Sequence, residues 1–439
     1  MSSFGLMPTA SQDCRSDCGM TNIPDISTDP LYLSALASLG LNVPLKLMAV
    51  PTMGSIAVLP FLNMSGDPEQ EHFTDGLTED IITDLSNVPG LFVIARHSTF
   101  AYKGKSADVR QIARDLGVKY ILEGSARRSA QRLRINVQLI DAAEGGNHVW
   151  AERFDRDLAD IFAVQDEVTR RIVEAISGKL NVGLTNERYR PANLEAYDLC
   201  VRSRDVFAQS KSAAREAQAN LERAIVLDPN YAEAHWRLAI VQVFNWLYWD
   251  EPEEPHRKNA IASAQRAVIL DPNDSNTHAN LGWVLQNEGR WDEARNSCET
   301  ARRLNPNDAD AAAVYGNYQN FAGKAEEGLE LLAMALRLNP RPPGWYYWNL
   351  GEAQISCGQY GNAVKTLRRE ETYRSPSRRC LAAALALSGR KEEALKEAKL
   401  FIADHPQWRI GIWAKTRPYQ HEKDLKLWID AFRLAGLPE

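Results

Sequence analysis

The sequence predicts a multidomain protein, an α/β domain with a mixed sheet followed by an all-α solenoid. Two observations predict it. Short apolar runs alternate with helix-spaced segments from Ser55 to Leu180. From Asn193 onward those runs disappear, and Pro272, Pro306 and Pro340 recur every 34 residues at the ends of apolar helices. The size of the chain agrees, because 439 residues correspond to two or three domains at roughly 100–200 residues each. A hydrophobic content of 44% and a charged content of 25% are those of a globular chain rather than a disordered or fibrous one. The formal charge of −6 argues against a dedicated nucleic-acid binder, which would carry a basic excess or stripe.

Residues 1–53 show no sustained period and are expected to be a poorly ordered lead-in, with one short helix near Leu31–Leu39. Ser55–Phe61 is an apolar run closed by proline, the pattern of a buried strand. After the Gly66-Asp67-Pro68 turn, Leu77, Ile81, Ile82 and Leu85 follow helical spacing. Leu91–Ala95 is a second strand. Asp108–Leu116 is a helix that Gly117 would stop. Tyr120–Gly124 is a third strand. Leu133, Ile135, Val137 and Leu139 then alternate with polar residues, as in a half-buried antiparallel strand. Gly145-Gly146-Asn147 turns the chain into His148–Ala151, and a helix over Val164–Leu180 closes a domain assigned to 54–185.

Residues 192–439 form the repeat array. A 34-residue period in helical sequence is the tetratricopeptide signature. Leu281-Gly282, Gly289, Ala294, Ala301 and Pro306 occupy its usual offsets, and so do Gly316, Gly323, Ala335 and Pro340. Pro229 lies 43 residues before Pro272, one period plus a nine-residue insertion. Five to six helix pairs are expected. Asp424–Leu434 would cap the open end with Leu427, Trp428, Ala431 and Phe432.

Chemical motifs are scarce. Gly104-Lys105-Ser106 lacks the earlier glycine of a phosphate loop, since position 99 is Thr. The acidic run Asp67, Glu69, Glu71, Asp75, Glu79, Asp80 and Asp84 has no histidine pair beside it and reads in part as dipole-matched helix starts. Arg127, Arg128, Arg132 and Arg134 flank a turn, where charges are usually solvated. Cys14 and Cys18 have no second ligand pair, and the other four cysteines sit singly, as buried thiols of a reducing compartment would. No nucleophile elbow, zinc-protease helix or dinucleotide fingerprint is present. No catalytic residue, metal site or cofactor is therefore expected. No apolar stretch reaches membrane-spanning length and no basic leader precedes Leu31–Val50, so the expected location is cytoplasmic.

The candidate site is a surface. In tetratricopeptide geometry the first helix of each pair lines the concave face. Its second, fifth, ninth and twelfth positions would present Asn276, Trp283, Gln286, Asn317, Asn320, Trp345, Trp348 and Glu352. Amides and aromatics on a rigid curve suit a peptide or protein partner. Phe244, Trp246, Leu247, Tyr248 and Trp249 crowd the insertion nearby.

Several motifs carry a family resemblance: Ser55–Phe61, Met64–Glu69, Asp75–Asp80, Phe92–Arg96, Leu122–Ser125, Val149–Arg153 and Asp160–Glu167. Together they resemble the TolB amino-terminal-like domain of bacterial signalling proteins, and the resemblance runs on through the repeats to Ala435–Glu439. It implies a sensory or partner-binding module that in relatives often follows a class III adenylate or guanylate cyclase domain, or a winged-helix DNA-binding domain. About fifty residues precede the domain here, without paired metal-binding aspartates. The expectation is thus a non-catalytic scaffold. Its alternatives are a regulatory subunit or truncated form of a nucleotide cyclase and a transcription-linked regulator. The resemblance also keeps a periplasmic location open. The oligomeric state is not legible.

Overall fold

In a computed structural model of the chain, the described residues are 37, 39–41, 54–129, 131–143, 146–177, 189–204, 209–248, 253–372 and 377–439. The Cys14/Cys18 pair, Trp249 and all of the expected helix at Leu31–Leu39 except residues 37 and 39 lie outside them.

The α/β domain is built on a mixed sheet ordered β3-β1-β4-β5-β6, with β2 pairing β4. β1 (Gly54–Val58) runs parallel to β3 (Leu91–Val93) and to β4 (Tyr120–Ser129), and β2 is Leu62–Asn63. β5 (Arg132–Asp141) and β6 (Asn147–Asp157) complete an antiparallel meander. The alternation predicted at Leu133–Leu139 holds, with those four residues buried. β4 and β6 extend further than predicted, and at the tip of β6 aspartates pair across the sheet with arginines of β5: Arg132 and Arg134 with Asp155, and Arg132 with Asp157. The two arginines predicted near a solvated turn thus work as cross-strand partners.

Helix α1 (Glu71–Ser86) and α4 (Ile161–Ser177) cover one face of the sheet. Phe73, Leu77, Ile81 and Leu85 from α1 and Ile161, Val164, Val168 and Ile172 from α4 join Ile56, Val58, Ile135 and Val137 in one core. Two short helices, α2 (Arg96–Phe100) and α3 (Val109–Leu116), follow β3. Asp108 caps α3 by accepting the Arg110 amide, and Gly117 ends it at φ 66°, a left-handed stop that glycine adopts without strain.

Among the described residues the repeats comprise six helix pairs and a terminal pair. They are α5/α6 (Leu194–Arg202, Lys211–Leu227), α7/α8 (Ala232–Tyr248, Glu253–Leu270) and α9/α10 (Ser275–Asn287, Trp291–Leu304). Next come α11/α12 (Ala309–Phe321, Ala325–Leu338), α13/α14 (Gly344–Ser356, Tyr360–Leu367) and α15/α16 (Arg378–Leu387, Lys391–Asp404). Helices α17 (Ile410–Thr416) and α18 (Glu422–Leu434) finish the chain. The periodic glycines explain the close packing. A Cβ at Gly282 would meet Cys298 Sγ at 2.6 Å, at Gly316 the Leu332 side chain at 2.9 Å, and at Gly351 the Leu367 side chain at 2.6 Å. The predicted cap is present: Trp428, Ala431 and Phe432 are buried, with Trp413 set edge-on to Phe432 at 4.8 Å.

The two parts share a core. Ala57, Phe92, Ile94 and Ile121, on the second face of the sheet, form one cluster with Leu332, Leu336, Leu338 and Leu350 of the repeats. The turns between repeats supply polar fastenings. Asn305 donates to Ser86 Oγ (2.9 Å) and Asn307 to the Leu91 carbonyl (2.8 Å). Ser98 donates to Asn339 (2.6 Å), and the Ala95 amide to the Leu338 carbonyl (2.8 Å). Of the lead-in, Leu39 and Leu41 are buried in the same cluster, and Gln354 donates to the Leu39 carbonyl (2.6 Å).

Candidate functional site

Part of the acidic run singled out in the sequence turns out to clamp the domains, while Glu71 and Asp75 pair with Lys103 inside the α/β domain. Glu79 and Asp80, on the flank of α1 turned toward the repeats, meet three arginines. Arg204 pairs with Glu79 (3.2 Å), Asp80 (3.1 Å) and Glu233 (2.7 Å). Arg237 joins Glu79 to Glu233, and Arg96 reaches Glu79 at 3.0 Å. Asp80, 2% exposed, also accepts from Tyr197 Oη (2.7 Å) and Gln165 Nε2 (3.0 Å). Three carboxylates face three guanidiniums. Burial alone disfavours a charged Arg204, but Glu233, Glu79 and Asp80 outweigh it and hold the guanidinium charged. Asp84 continues the clamp through Arg190 (2.6 Å). Gly76 is required beside it, since a Cβ there would meet Val201 at 2.8 Å. Among the described residues no three His, Cys, Asp or Glu side chains are grouped to hold a metal ion.

This clamp fixes the α/β domain against the start of the solenoid and leaves the first helices side by side, α7 against α9, α9 against α11, α11 against α13 and α13 against α15. The predicted surface residues divide along them. Gln286 donates to Asn317 Oδ1 (3.0 Å), and Asn317 donates to Asn349 Oδ1 (3.2 Å), a chain of amides crossing α9, α11 and α13. Trp283 packs 6.0 Å from Phe244, Phe244 lies 4.9 Å from Tyr248, and Tyr248 meets Trp348 edge-on at 5.6 Å. Trp348 donates its indole N–H to Glu352 (2.9 Å), which also receives the Cys380 thiol (3.4 Å), and Arg379 lies over the Trp348 ring at 5.1 Å. Five of the eight predicted positions, Trp283, Gln286, Asn317, Trp348 and Glu352, therefore fall along this face.

Two of the remaining three sit apart. Asn276 is absorbed by the start of α9, where its side chain donates to the capping Asp274 (3.1 Å). Trp345 packs against Tyr346 (4.3 Å) and the core shared with the sheet. Burial is deeper than the sequence suggests. Gln286 and Asn320 are each 2% exposed, and Gln286 Oε1 and both polar atoms of the Asn320 amide have no hydrogen-bond partner. Residues missed by sequence reasoning are Asn349, Arg379, Arg417 and Tyr419. Asn349 sits off the expected offsets, and Arg417 and Tyr419 lie beyond the last repeat, where no period marks them.

Thiol chemistry has little support. Cys200, Cys298 and Cys380 are buried and Cys357 half-buried, and burial pushes each thiol up to about 12.

Residues 275–308 match the tetratricopeptide repeat family, and residues 52–172 match the second domain of HilA/YgeH-like transcriptional regulators. A protein of Rhizobium meliloti (strain 1021) named "Putative adenylate cyclase 3" is 56% identical over 201 residues, which cover 45% of this chain and 34% of that protein. The match thus spans about a third of that relative's length. Among solved structures, TolB from Acinetobacter baumannii is 19% identical with a TM-score of 0.23, covering 29% of each chain. PilF of Pseudomonas aeruginosa is 18% identical (TM-score 0.35, 49% of this chain and 94% of that one). A thermophilic tetratricopeptide protein of Thermus thermophilus is 18% identical (TM-score 0.34, 47% and 99%). The chain joins an α/β domain to a run of helix pairs that includes a tetratricopeptide repeat. Among the described residues no helix is long and apolar enough to cross a membrane.

Proposed function

We propose that this chain is a non-catalytic regulatory scaffold in signalling that holds a protein or peptide partner on the face built by its first helices. The observation that carries the reading is the continuous line from Trp283 through Gln286, Asn317 and Asn349 to Trp348 and Glu352. It offers amide donors and acceptors beside aromatic rings on a preformed support. Such a surface binds with little ordering cost, because the stacked helices have already met it in folding. Matched affinity captures with the full chain and with its Trp348→Ala and Gln286→Ala variants test it. The partner recovered by the parent should be lost or reduced at least severalfold with each variant. Equal recovery would move the site elsewhere. Trp345→Ala serves as the comparison, since that ring faces the shared core and its loss should lower stability before it lowers recovery.

The Rhizobium relative favours a second reading, a regulatory part of a nucleotide cyclase system. Incubation of the purified chain with ATP or GTP and magnesium or manganese separates the two. The scaffold reading expects no cyclic nucleotide from this chain alone. The match to a transcriptional regulator's second domain favours a transcription-linked role in the same sense, as a partner-binding module. A salt-dependent shift of duplex DNA by this chain would show direct binding instead.

A further inference from the structure

The recognition face is not empty; the protein's own chain lies on it. After α17 the segment 417–420 turns back across the first helices before α18 begins. Tyr419 stacks on Phe321, the last residue of α11, with ring centroids 4.5 Å apart and planes 18° from parallel. The Gln420 amide donates to the Phe321 carbonyl at 3.0 Å, a backbone bond of the kind an extended ligand makes. Arg417 lies 5.6 Å over the ring of Tyr248, which itself meets Trp348. Arg417 thus sits beside the cluster that contains Glu352, and the segment touches helices α7 and α11 while α13 completes the far wall.

Two buried amides of this face are poorly served. Asn320, the neighbour of Phe321, has neither amide atom paired, and Gln286 Oε1 is unpaired. A buried amide atom without a partner is unfavourable, so an occupant that reached these groups would match the face better than the internal segment does. The segment contributes an aromatic ring, a guanidinium and one N–H, and nothing to either amide.

We propose that residues 417–420 are an internal ligand of the recognition face, and that the partner is an extended segment of similar chemistry, an arginine followed two residues later by an aromatic, which displaces them. The proposal rests on the reading of the first-helix face as the partner site and adds what that face selects and what guards it. A partner able to hydrogen-bond Asn320 and Gln286 as well would outcompete the internal segment. The fold thereby sets a threshold that a weakly matched peptide does not cross.

The test uses the full chain and a fluorescent peptide copying residues 415–421. The Arg417→Ala/Tyr419→Ala protein should bind the peptide, and the parent should bind it about tenfold more weakly or worse, the factor expected when the open state is populated at roughly a tenth. A peptide with alanine at both positions should bind neither protein. Gln420→Pro, which removes the N–H given to Phe321 and constrains the backbone at Tyr419, should also raise affinity for the labelled peptide and stands in if the double variant loses helix content. Equal binding to parent and both variants, or binding to none, overturns the proposal. The two readings fail separately. If Trp348→Ala abolishes partner capture while the 415–421 peptide binds no variant, the internal ligand is wrong and the scaffold stands. If the peptide binds the opened protein while Trp348→Ala leaves capture unchanged, the face takes this segment but is not the partner site.

Discussion

Asp80 shows how a single side chain acquires several duties once the two domains meet. In the sequence it is one of seven acids in a run. In the fold it receives Gln165 from α4, Tyr197 from α5 and Arg204 from the turn after α5. Removing one member of a buried, balanced charge cluster leaves an uncompensated partner, at a cost of about 3–5 kcal/mol. Asp80→Ala should lower urea stability by that amount, whereas Asp157→Ala, whose partner Arg132 is exposed, should leave the midpoint unchanged. A loss for Asp80→Ala below about 1 kcal/mol would mean that the cluster is solvated in solution. Asp308 behaves differently. Burial, reinforced by Asp310, pushes its carboxyl up to about 6, although Ser275 donates to it at 2.6 Å. A carboxyl raised above its unfolded value opposes folding when ionised; that penalty is full above about pH 6 and vanishes as pH falls through the unfolded value near 4. Asp308→Asn keeps an acceptor for the Ala311 amide and removes the charge. Its melting temperature should exceed the parent's at pH 7.5, with the gain shrinking toward pH 4.5. A constant or growing difference would contradict this account.

At the scale of the elements, glycine carries the repeat. Gly282 is helical and would gain from alanine in isolation, by up to about 1 kcal/mol. Its Cβ would nevertheless strike Cys298 Sγ at 2.6 Å, and overpacking costs about 1–3 kcal/mol. Gly361, in the first turn of α14, faces open space. Gly282→Ala should therefore destabilise and Gly361→Ala stabilise, a pair of opposite signs read by thermal melting. The same contrast explains what the sequence made legible. Offsets that recur every 34 residues encode helix-to-helix contacts within a repeat, so helix boundaries, the small residues and the capping helix could be read in advance. The alternation at Leu133–Leu139 encodes a sheet face in the same way. β2, α2 and the far ends of β4 and β6 were missed because they depend on partners distant in sequence. β2 exists only through its pairing with Ser125 and Ala126, and the strand tips through Asp155 and its two arginines.

For the molecule as a whole, the most consequential feature had no local signal. Nothing in the spacing of Ala57, Phe92 and Ile121 announces that the second sheet face shares a core with Leu336 and Leu338 of the repeats. The repeat-to-repeat asparagines Asn305 and Asn307 look like ordinary turn residues, yet both are spent on the sheet domain. The sheet domain is therefore fastened to the repeats through this shared core and these turns, and the line from Trp283 to Glu352 brings amide and aromatic groups together beside it. Positional offsets found five of the residues on that line. They could not show that Asn276 belongs to a cap, that Trp345 turns to the shared core, or that the chain's own Tyr419 would cover Phe321. Hydrogen exchange of the full chain, with and without its captured partner, tests the central claim most directly. Slowed exchange should appear in α9, α11 and α13, accompanied by faster exchange in residues 417–420 as they are displaced. Protection confined to the sheet or to the second helices of the repeats, with α9, α11 and α13 unchanged, would contradict it.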